Sequence, residues 1–300
     1  TVTAKLGKIT MGSGERITLD FVGDGLMSIT VPTSQLGVIK DINGRSLKSL
    51  VTNSGVLKAN GGMVQLSAST AQRLSRGTVN IGSSGVVIAR TYKNKPGRVV
   101  IGSPTSRQIQ VAGQINVSGT TPSGPSGSVY IRGRNINHTG KIYANGSTGG
   151  NVKIASKDKL TIDGSILAKG KTKNGGSVVI LSENAMKSTI KSLIDVSGEN
   201  KGGRIQTLAK TTNSSSGTLK ADSASGKGGE IDVTGKTLKL ASISIDASGK
   251  KQGGKVRIGG DYQGGIKLTN TDNKNYKGFV TRFGDQPSIQ NAKQTIVEAD

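Results

Sequence analysis

The sequence has no cysteine, no tryptophan and a single histidine, His138. The absence of cysteine excludes disulfide frameworks, thiolate zinc sites and cysteine nucleophiles. Aromatic residues make up only 3% of the chain, so few side chains are available to stack on nucleic-acid bases. No apolar run of about 18 residues occurs, and the sequence therefore predicts no membrane-spanning helix. His138 stands in the sequence Asn-His-Thr-Gly at 137–140, which favours a turn position over a metal site.

Acidic residues are also scarce, with 18 Asp and Glu against 41 Lys and Arg, which gives a formal net charge of +23. Such a charge favours attraction to polyanions. The basic residues are dispersed and not interleaved with aromatics, unlike those of a single-strand nucleic-acid binder. We therefore expect no nucleic-acid partner and no membrane insertion. Two interpretations stay open, because the charge either keeps the surface soluble or binds an extended polyanion.

Glycine is abundant, at 45 of 300 residues, and much of it recurs in pairs. The pairs start 26, 27, 26 and 25 residues apart, at Gly149, Gly175, Gly202, Gly228 and Gly253. Apolar residues alternate with other residues on both sides of each pair, as at Ile166 and Ala168 and at Val178 and Ile180. A period of two indicates β-strands. Turn-forming dipeptides follow the first strand of each unit, and their glycines, Gly146, Gly170, Gly198 and Gly249, allow positive φ.

A strand–turn–strand unit of about 26 residues that recurs in register predicts a coil stacked on its own copies. The expected fold class is all-β, a single-stranded parallel β-helix (solenoid) with short extra-helical insertions. Its inward Val, Ile and Leu side chains form ladders with a rung spacing of about 4.8 Å, and we expect about eleven coils. Helix is confined at most to residues 69–75 and 183–192, and residues 211–216 are expected to form a variable loop.

The regularity of the pattern divides the chain into three parts. Residues 1–110 contain less regular coils, residues 111–258 contain the regular repeats, and residues 259–300 form an irregular coil or covering loop that leads into a further coil. Outward strand positions must be polar, so we expect Lys153 to face water between inward Val152 and Ile154.

Three segments resemble one known family. They are residues 12–29 (GSGERITLDFVGDGLMSI), 50–62 (LVTNSGVLKANGG) and 245–264 (IDASGKKQGGKVRIGGDYQG). They look like the large exoproteins of bacterial two-partner secretion, such as filamentous haemagglutinin and the high-molecular-weight adhesins, and the resemblance extends over nearly the whole chain. The family's early Asn-Pro-Asn motif does not occur here, so residues 1–110 are expected to correspond to the later part of a secretion domain.

The resemblance implies a right-handed β-helix and a secreted or cell-surface location in a Gram-negative bacterium. It also implies export through an outer-membrane transporter partner. The expected function is that of a β-helical segment of an adhesin- or haemagglutinin-like exoprotein, associated with virulence, that binds surfaces non-covalently. A contact-dependent toxin stalk and a nutrient-scavenging exoprotein are the other family roles that the resemblance leaves open. Host-surface glycans or other polyanions are the expected ligands.

Basic residues at outward positions are the candidate binding site. Stacking of coils brings equivalent positions within about 5 Å of each other, which turns dispersed charge into stripes. The proposed stripe consists of Lys153, Arg204, Lys255 and Arg257.

A polysaccharide-active enzyme or a polyanion- or haem-binding module on the same scaffold is the alternative function. The enzyme alternative depends on Glu230 and Asp232, which share an outward strand face, together with Asp222 and Asp246. These carboxylates are also what solvent-facing strand positions ordinarily carry, and sugar sites usually contain Trp or Tyr. We therefore expect no enzyme activity, catalytic residue, cofactor or metal site. Glycosylation sequons occur at Asn116, Asn137, Asn145 and Asn213.

Overall fold

The computed structural model describes residues 1–14, 16–19, 27–30, 40–69, 77–121, 123–259 and 294–298. The secondary structure of these residues is β, without a helix. The strands are β1 Val2–Thr3, β2 Lys8–Ser13, β3 Arg16–Leu19, β4 Met27–Thr30, β5 Val51–Asn53, β6 Val56–Lys58, β7 Met63–Ala68, β8 Val79–Ile81, β9 Val86–Ile88, β10 Arg98–Gly102, β11 Gln108–Val111, β12 Gln114–Asn116, β13 Ser128–His138, β14 Lys141–Tyr143, β15 Asn151–Ile162, β16 Ser165–Leu167, β17 Ser177–Ser182, β18 Ala185–Ser188, β19 Leu193–Asp195, β20 Arg204–Lys220, β21 Glu230–Asp246, β22 Lys255–Ile258 and β23 Gln294–Glu298.

Parallel pairing joins 21 of these strands into one sheet that winds into a solenoid, whereas β3 and β4 form a separate antiparallel pair. The expected all-β parallel β-helix is confirmed. Its wall has three faces. Face A contains β2, β7, β10, the first parts of β13, β15, β20 and β21, and β17 and β22. Face B runs from β5 to β23, and face C runs from β1 to the last part of β21.

Inward side chains of face A form an apolar ladder along the solenoid. Val152, Val178, Ile205 and Ile231 stack in register and are fully buried. Each such side chain contributes about 1.5–3 kcal/mol relative to an exposed one. Val256 continues the ladder in β22 but is 44% exposed.

Coil length explains why the described residues hold fewer coils than the eleven expected. Face A contains nine strands, and successive equivalents of Ile9 lie 55, 35 and 30 residues apart up to Val129. From Val129 onward the separation is 23 to 27 residues. Because the early coils are longer than the regular repeat, the same number of residues forms fewer coils. Residues 260–293 and 299–300 lie outside the described part, and β23 pairs in parallel with β21 on face B.

The glycine pairs that begin at Gly149, Gly175, Gly202 and Gly228 are required by close approach of backbones at the corner between faces C and A. A Cβ on Gly175 would lie 1.8 Å from the carbonyl oxygen of Val196, and one on Gly176 would lie 2.2 Å from that of Gly150. The neighbouring turn glycines Gly170 and Gly198 are equally confined, because each Cβ would lie 2.0 Å from a backbone oxygen. None of the four turn glycines has a positive φ. The turns at Gly146, Gly170, Gly198 and Gly249 therefore do not use the positive φ that glycine allows, and the physical reason for glycine is space.

Two segments that were not expected to form strands contain them. Residues 183–192 are not helical, because Ala185–Ser188 forms β18 and places Met186 inside the solenoid. Residues 211–216 lie in the 17-residue strand β20, where bulges carry the chain round the corners of the coil. The expected variable loop at 211–216 is wrong because ladder pairing overrides local propensity. At 183–192 the helix content is below the upper limit set from the sequence. Of the other helix candidate, residues 70–75 lie outside the described part.

Candidate functional site

The four basic residues of the predicted stripe all lie on the outer side of face A, in two separate columns. Arg204 and Lys255 share one column, with Glu230 between them. Lys153 and Arg257 share the other, where Val179, Gln206 and Asp232 separate them. The register therefore interrupts the positive charge in both columns.

Asp232 engages two of these cations. Asp232 is buried, with 2% of its surface exposed. Its Oδ2 accepts hydrogen bonds from Arg257 Nη2 at 2.8 Å and from Arg204 Nη2 at 3.4 Å. Gln206 Nε2 donates to the same oxygen at 3.4 Å, and Arg204 Nε lies 3.8 Å from Glu230 Oε2. A buried carboxylate in this setting depends on its cations, because an uncompensated buried charge is costly. Arg204 and Arg257 thus stabilise the wall.

The Lys153 side chain is half-buried and not fully solvated. Burial lowers the pKa of its ammonium group. It points outward as expected, and it is partly rather than fully exposed to water. The reason is that outer positions of face A are themselves covered, as shown by the apolar residues Val100, Val179, Leu181 and Leu208, which are buried there.

The acidic residues of the enzyme alternative do not gather at one place. Glu230 and Asp232 share the outer side of face A as expected. Asp222 Oδ2 lies 3.5 Å from Lys220 Nζ. The Asp246 carboxylate accepts hydrogen bonds from Ser248, which lower its pKa. Within the described ranges, no three His, Cys, Asp or Glu side chains are grouped as metal ligands.

His138 is a core residue, so its assignment to a turn is wrong. It ends β13, stacks between Val111 and Ile162 in an inward column of face B, and is 0% exposed. Its Nε2 lies 3.4 Å from the Ser165 carbonyl oxygen. Burial lowers the pKa of the imidazole to about 4. The strand continues to His138 because this position of the coil pairs with neighbours on both sides.

The four sequon asparagines are engaged by the fold. Asn213 is inside the core at 0% exposure, where its Nδ2 donates to Thr234 O and its Oδ1 accepts from Ser215 Oγ. Asn116 and Asn145 accept hydrogen bonds from backbone N–H groups, and Asn137 donates to Gln110. Burial makes Asn213 inaccessible for modification of the folded chain.

A polar groove crosses three coils on the outer side of face B and has a volume of about 310 Å³. Gln108, Asn135 and Lys159 form one column of it, and Asn137 and Thr161 belong to the next. Asn135 Nδ2 donates to Arg107 O at 3.2 Å and Asn137 Nδ2 to Gln110 Oε1 at 3.0 Å, and amides accept as well as donate, so the lining selects no single ligand class.

A second surface, not anticipated from the sequence, is formed by the loops that connect face C to face A. We call residues 168–176, 196–203, 221–229 and 247–254 the loop edge. Adjacent loops form parallel bridges, which link Asn174 to Lys201, Lys201 to Lys227, and Lys227 to Gln252. The sequence signal for this surface was the lysines that follow the turn glycines, such as Lys171 after Gly170 and Lys250 after Gly249. From the sequence these loops were interpreted only as turns.

Comparison with protein-family models, with curated protein sequences and with solved structures gives no significant match. In the part of the chain that the structure describes, no helix has the length and apolarity to cross a membrane.

Proposed function

We propose that this chain is a β-helical segment of a secreted, surface-associated bacterial exoprotein of the two-partner secretion type. In this proposal it is exported through an outer-membrane transporter partner and then acts by non-covalent binding at surfaces. The observation that carries the proposal is the continuous parallel solenoid with glycine-lined corners, in a chain whose segments 12–29, 50–62 and 245–264 resemble that family.

Several physical features support this use. Stacked coils make a stiff, elongated unit that presents many similar surfaces side by side. A chain without cysteine forms no disulfide that would hinder passage through a transporter in an unfolded state. The net charge of +23 favours attachment to anionic surface polymers. The enzyme alternative gains no support, because Asp232 is occupied by arginine side chains.

The test is surface detection in the organism that produces the chain. Antibodies raised against residues 1–300 would be applied to intact cells and to culture medium, with and without deletion of the candidate transporter gene. We expect surface or medium signal that is lost on deletion and restored by complementation. Signal found only after cell lysis would contradict the proposed location, and signal that survives deletion would contradict the transporter partner.

A further inference from the structure

We propose that the loop edge is a binding surface for an acidic polysaccharide that lies along the solenoid axis. This inference rests on the proposed non-covalent surface binding and gives it a site and a ligand class. It moves the site away from face A, where Lys153 is half-buried, Arg204 and Arg257 are bonded to Asp232, and the exposed Lys255 lies next to Glu230 in its column.

The loop edge carries a dense row of exposed cations. Its exposed lysines are Lys171, Lys173, Lys201, Lys227, Lys250 and Lys251. Bridged partners in neighbouring coils lie about 4.8 Å apart, so Lys201 and Lys227 begin side by side. Within the described residues none of the six is in a salt bridge. At this spacing like charges repel by up to about 1 kcal/mol per pair in water, and an anionic ligand would relieve that repulsion.

The acidic residues nearby do not neutralise this row. Glu199 is half-exposed, Asp222 lies beside Lys220, and Asp195 is paired with Lys169. Gly170 and Gly198 are bridged, so Glu199 lies beside Lys171 in the next coil. The column of Asn174, Lys201, Lys227 and Gln252 contains no acidic residue, unlike the two columns of face A.

The loops are held in place before any ligand binds. Lys171 N donates to Gly146 O at 2.8 Å, Lys173 N to Ser147 O at 2.9 Å, and Lys251 N to Gly226 O at 2.9 Å. Lys227 N donates to Asn200 O at 3.3 Å, and Asn200 N to Lys173 O at 3.0 Å. Because each loop is bonded to the next, binding would restrict only the lysine side chains. Preorganisation of this kind lowers the entropic cost of association.

The chemistry of the edge favours a polysaccharide over a nucleic acid. Its four loops contain no aromatic residue and no arginine, so they offer no platform for base stacking. They do contain hydroxyl and amide side chains, at Thr172, Asn200, Ser225 and Gln252. Ammonium groups for sulfate or carboxylate, together with hydroxyl and amide partners for sugar hydroxyls, match an acidic polysaccharide.

The test compares two variants of the 300-residue chain with equal charge change. One replaces the six loop-edge lysines with glutamine. The control replaces six exposed lysines elsewhere with glutamine, at Lys58, Lys141, Lys157, Lys187, Lys236 and Lys239. Binding of heparin and of hyaluronate is measured by calorimetry over a range of salt concentrations, and circular dichroism verifies that both variants fold.

We expect the loop-edge variant to bind heparin at least about tenfold more weakly near 0.15 M salt, with a clearly smaller slope of log Kd against log salt, because fewer counterions are released. The control should change by less than about threefold. Equal weakening in both variants would show diffuse attraction and overturn the proposal, as would heparin binding that the loop-edge changes leave intact. Single-stranded DNA bound as tightly as heparin through the same lysines would overturn the ligand class. None of these results depends on secretion, so failure here is distinguishable from failure of the proposed location.

Discussion

Substitution of a single corner glycine by alanine tests the packing of successive coils. In Gly202→Ala the new Cβ would lie 1.9 Å from Ala221 O and 2.4 Å from Gly229 N. Carbon and oxygen atoms in contact are separated by more than 3 Å, so the two backbones must move apart by over an ångström. Ala221 O also accepts a hydrogen bond from Gly229 N at 2.7 Å, which this movement would lengthen.

The expected cost combines two contributions. Overpacking typically costs about 1–3 kcal/mol, and a weakened backbone hydrogen bond adds about 0.5–1.5 kcal/mol. We therefore expect Gly202→Ala to destabilise the fold by about 2–4 kcal/mol. The control is Gly82→Ala, because among the described atoms only Asn53 O lies within 4 Å of its Cβ position, at an ordinary contact distance of 3.7 Å.

Urea unfolding followed by circular dichroism measures both variants. Gly82→Ala should change the free energy of unfolding by less than about 0.5 kcal/mol, as at an uncrowded site. If the two variants are equally stable, the glycines do not serve close approach of coils, and the steric account of the repeat is refuted.

The remaining predictions concern buried groups. The His138 pKa is about 4 in the fold against 6.5 unfolded, so its stabilising effect is complete above pH 6.5 and is lost as the pH falls toward 4. The free energy of unfolding should be roughly 2–3 kcal/mol lower at pH 4.5 than at pH 7, and this difference should be absent in His138→Leu. An equal difference in the variant would show that His138 is not its cause. Val178→Lys buries an unpaired charge in the ladder and should cost several kcal/mol, against about 0.5 kcal/mol or less for Lys187→Val on the surface, as measured by urea unfolding. Arg257→Gln should cost about 3 kcal/mol because it leaves the Asp232 carboxylate undercompensated, and adding Asp232→Asn should restore part of the loss; strictly additive costs would contradict the pairing.

The fold could be predicted from the sequence because each coil repeats the same local signal. The alternation at Val178 and Ile180 and the Gly175–Gly176 pair recur at nearly constant spacing, and stacking requires only that equal units meet. The covered outer side of face A was harder to predict. The alternating pattern predicts burial of only one side of a strand. The signal for burial of both sides was the unbroken apolar run of Val178, Val179, Ile180 and Leu181, which is typical of a strand covered on both faces.

The site was less predictable because exposure and pairing depend on neighbouring coils. Arg204 and Arg257 were chosen for their outward positions, but Asp232 in the coil between them binds both side chains. The loop edge was missed because Lys201 and Lys227 lie in turns, and only the register of successive loops places them side by side. His138 was misassigned because the local turn-like sequence carried no information about the column it joins.

Stacking of the loops in register is the claim on which the binding surface depends, and disulfide trapping tests it directly. The natural chain has no cysteine, so introduced pairs have no competing thiol. In Lys201→Cys with Lys227→Cys the Cα atoms should be about 4.8 Å apart, within the range that a disulfide bridges. In Lys201→Cys with Gln252→Cys they are two rungs apart, at about twice that distance, which is too far. We predict rapid, nearly complete cross-linking of the first pair under mild oxidation and none of the second within one chain, as measured by mass spectrometry of the monomer. Equal cross-linking of both pairs, or of neither, would contradict the account.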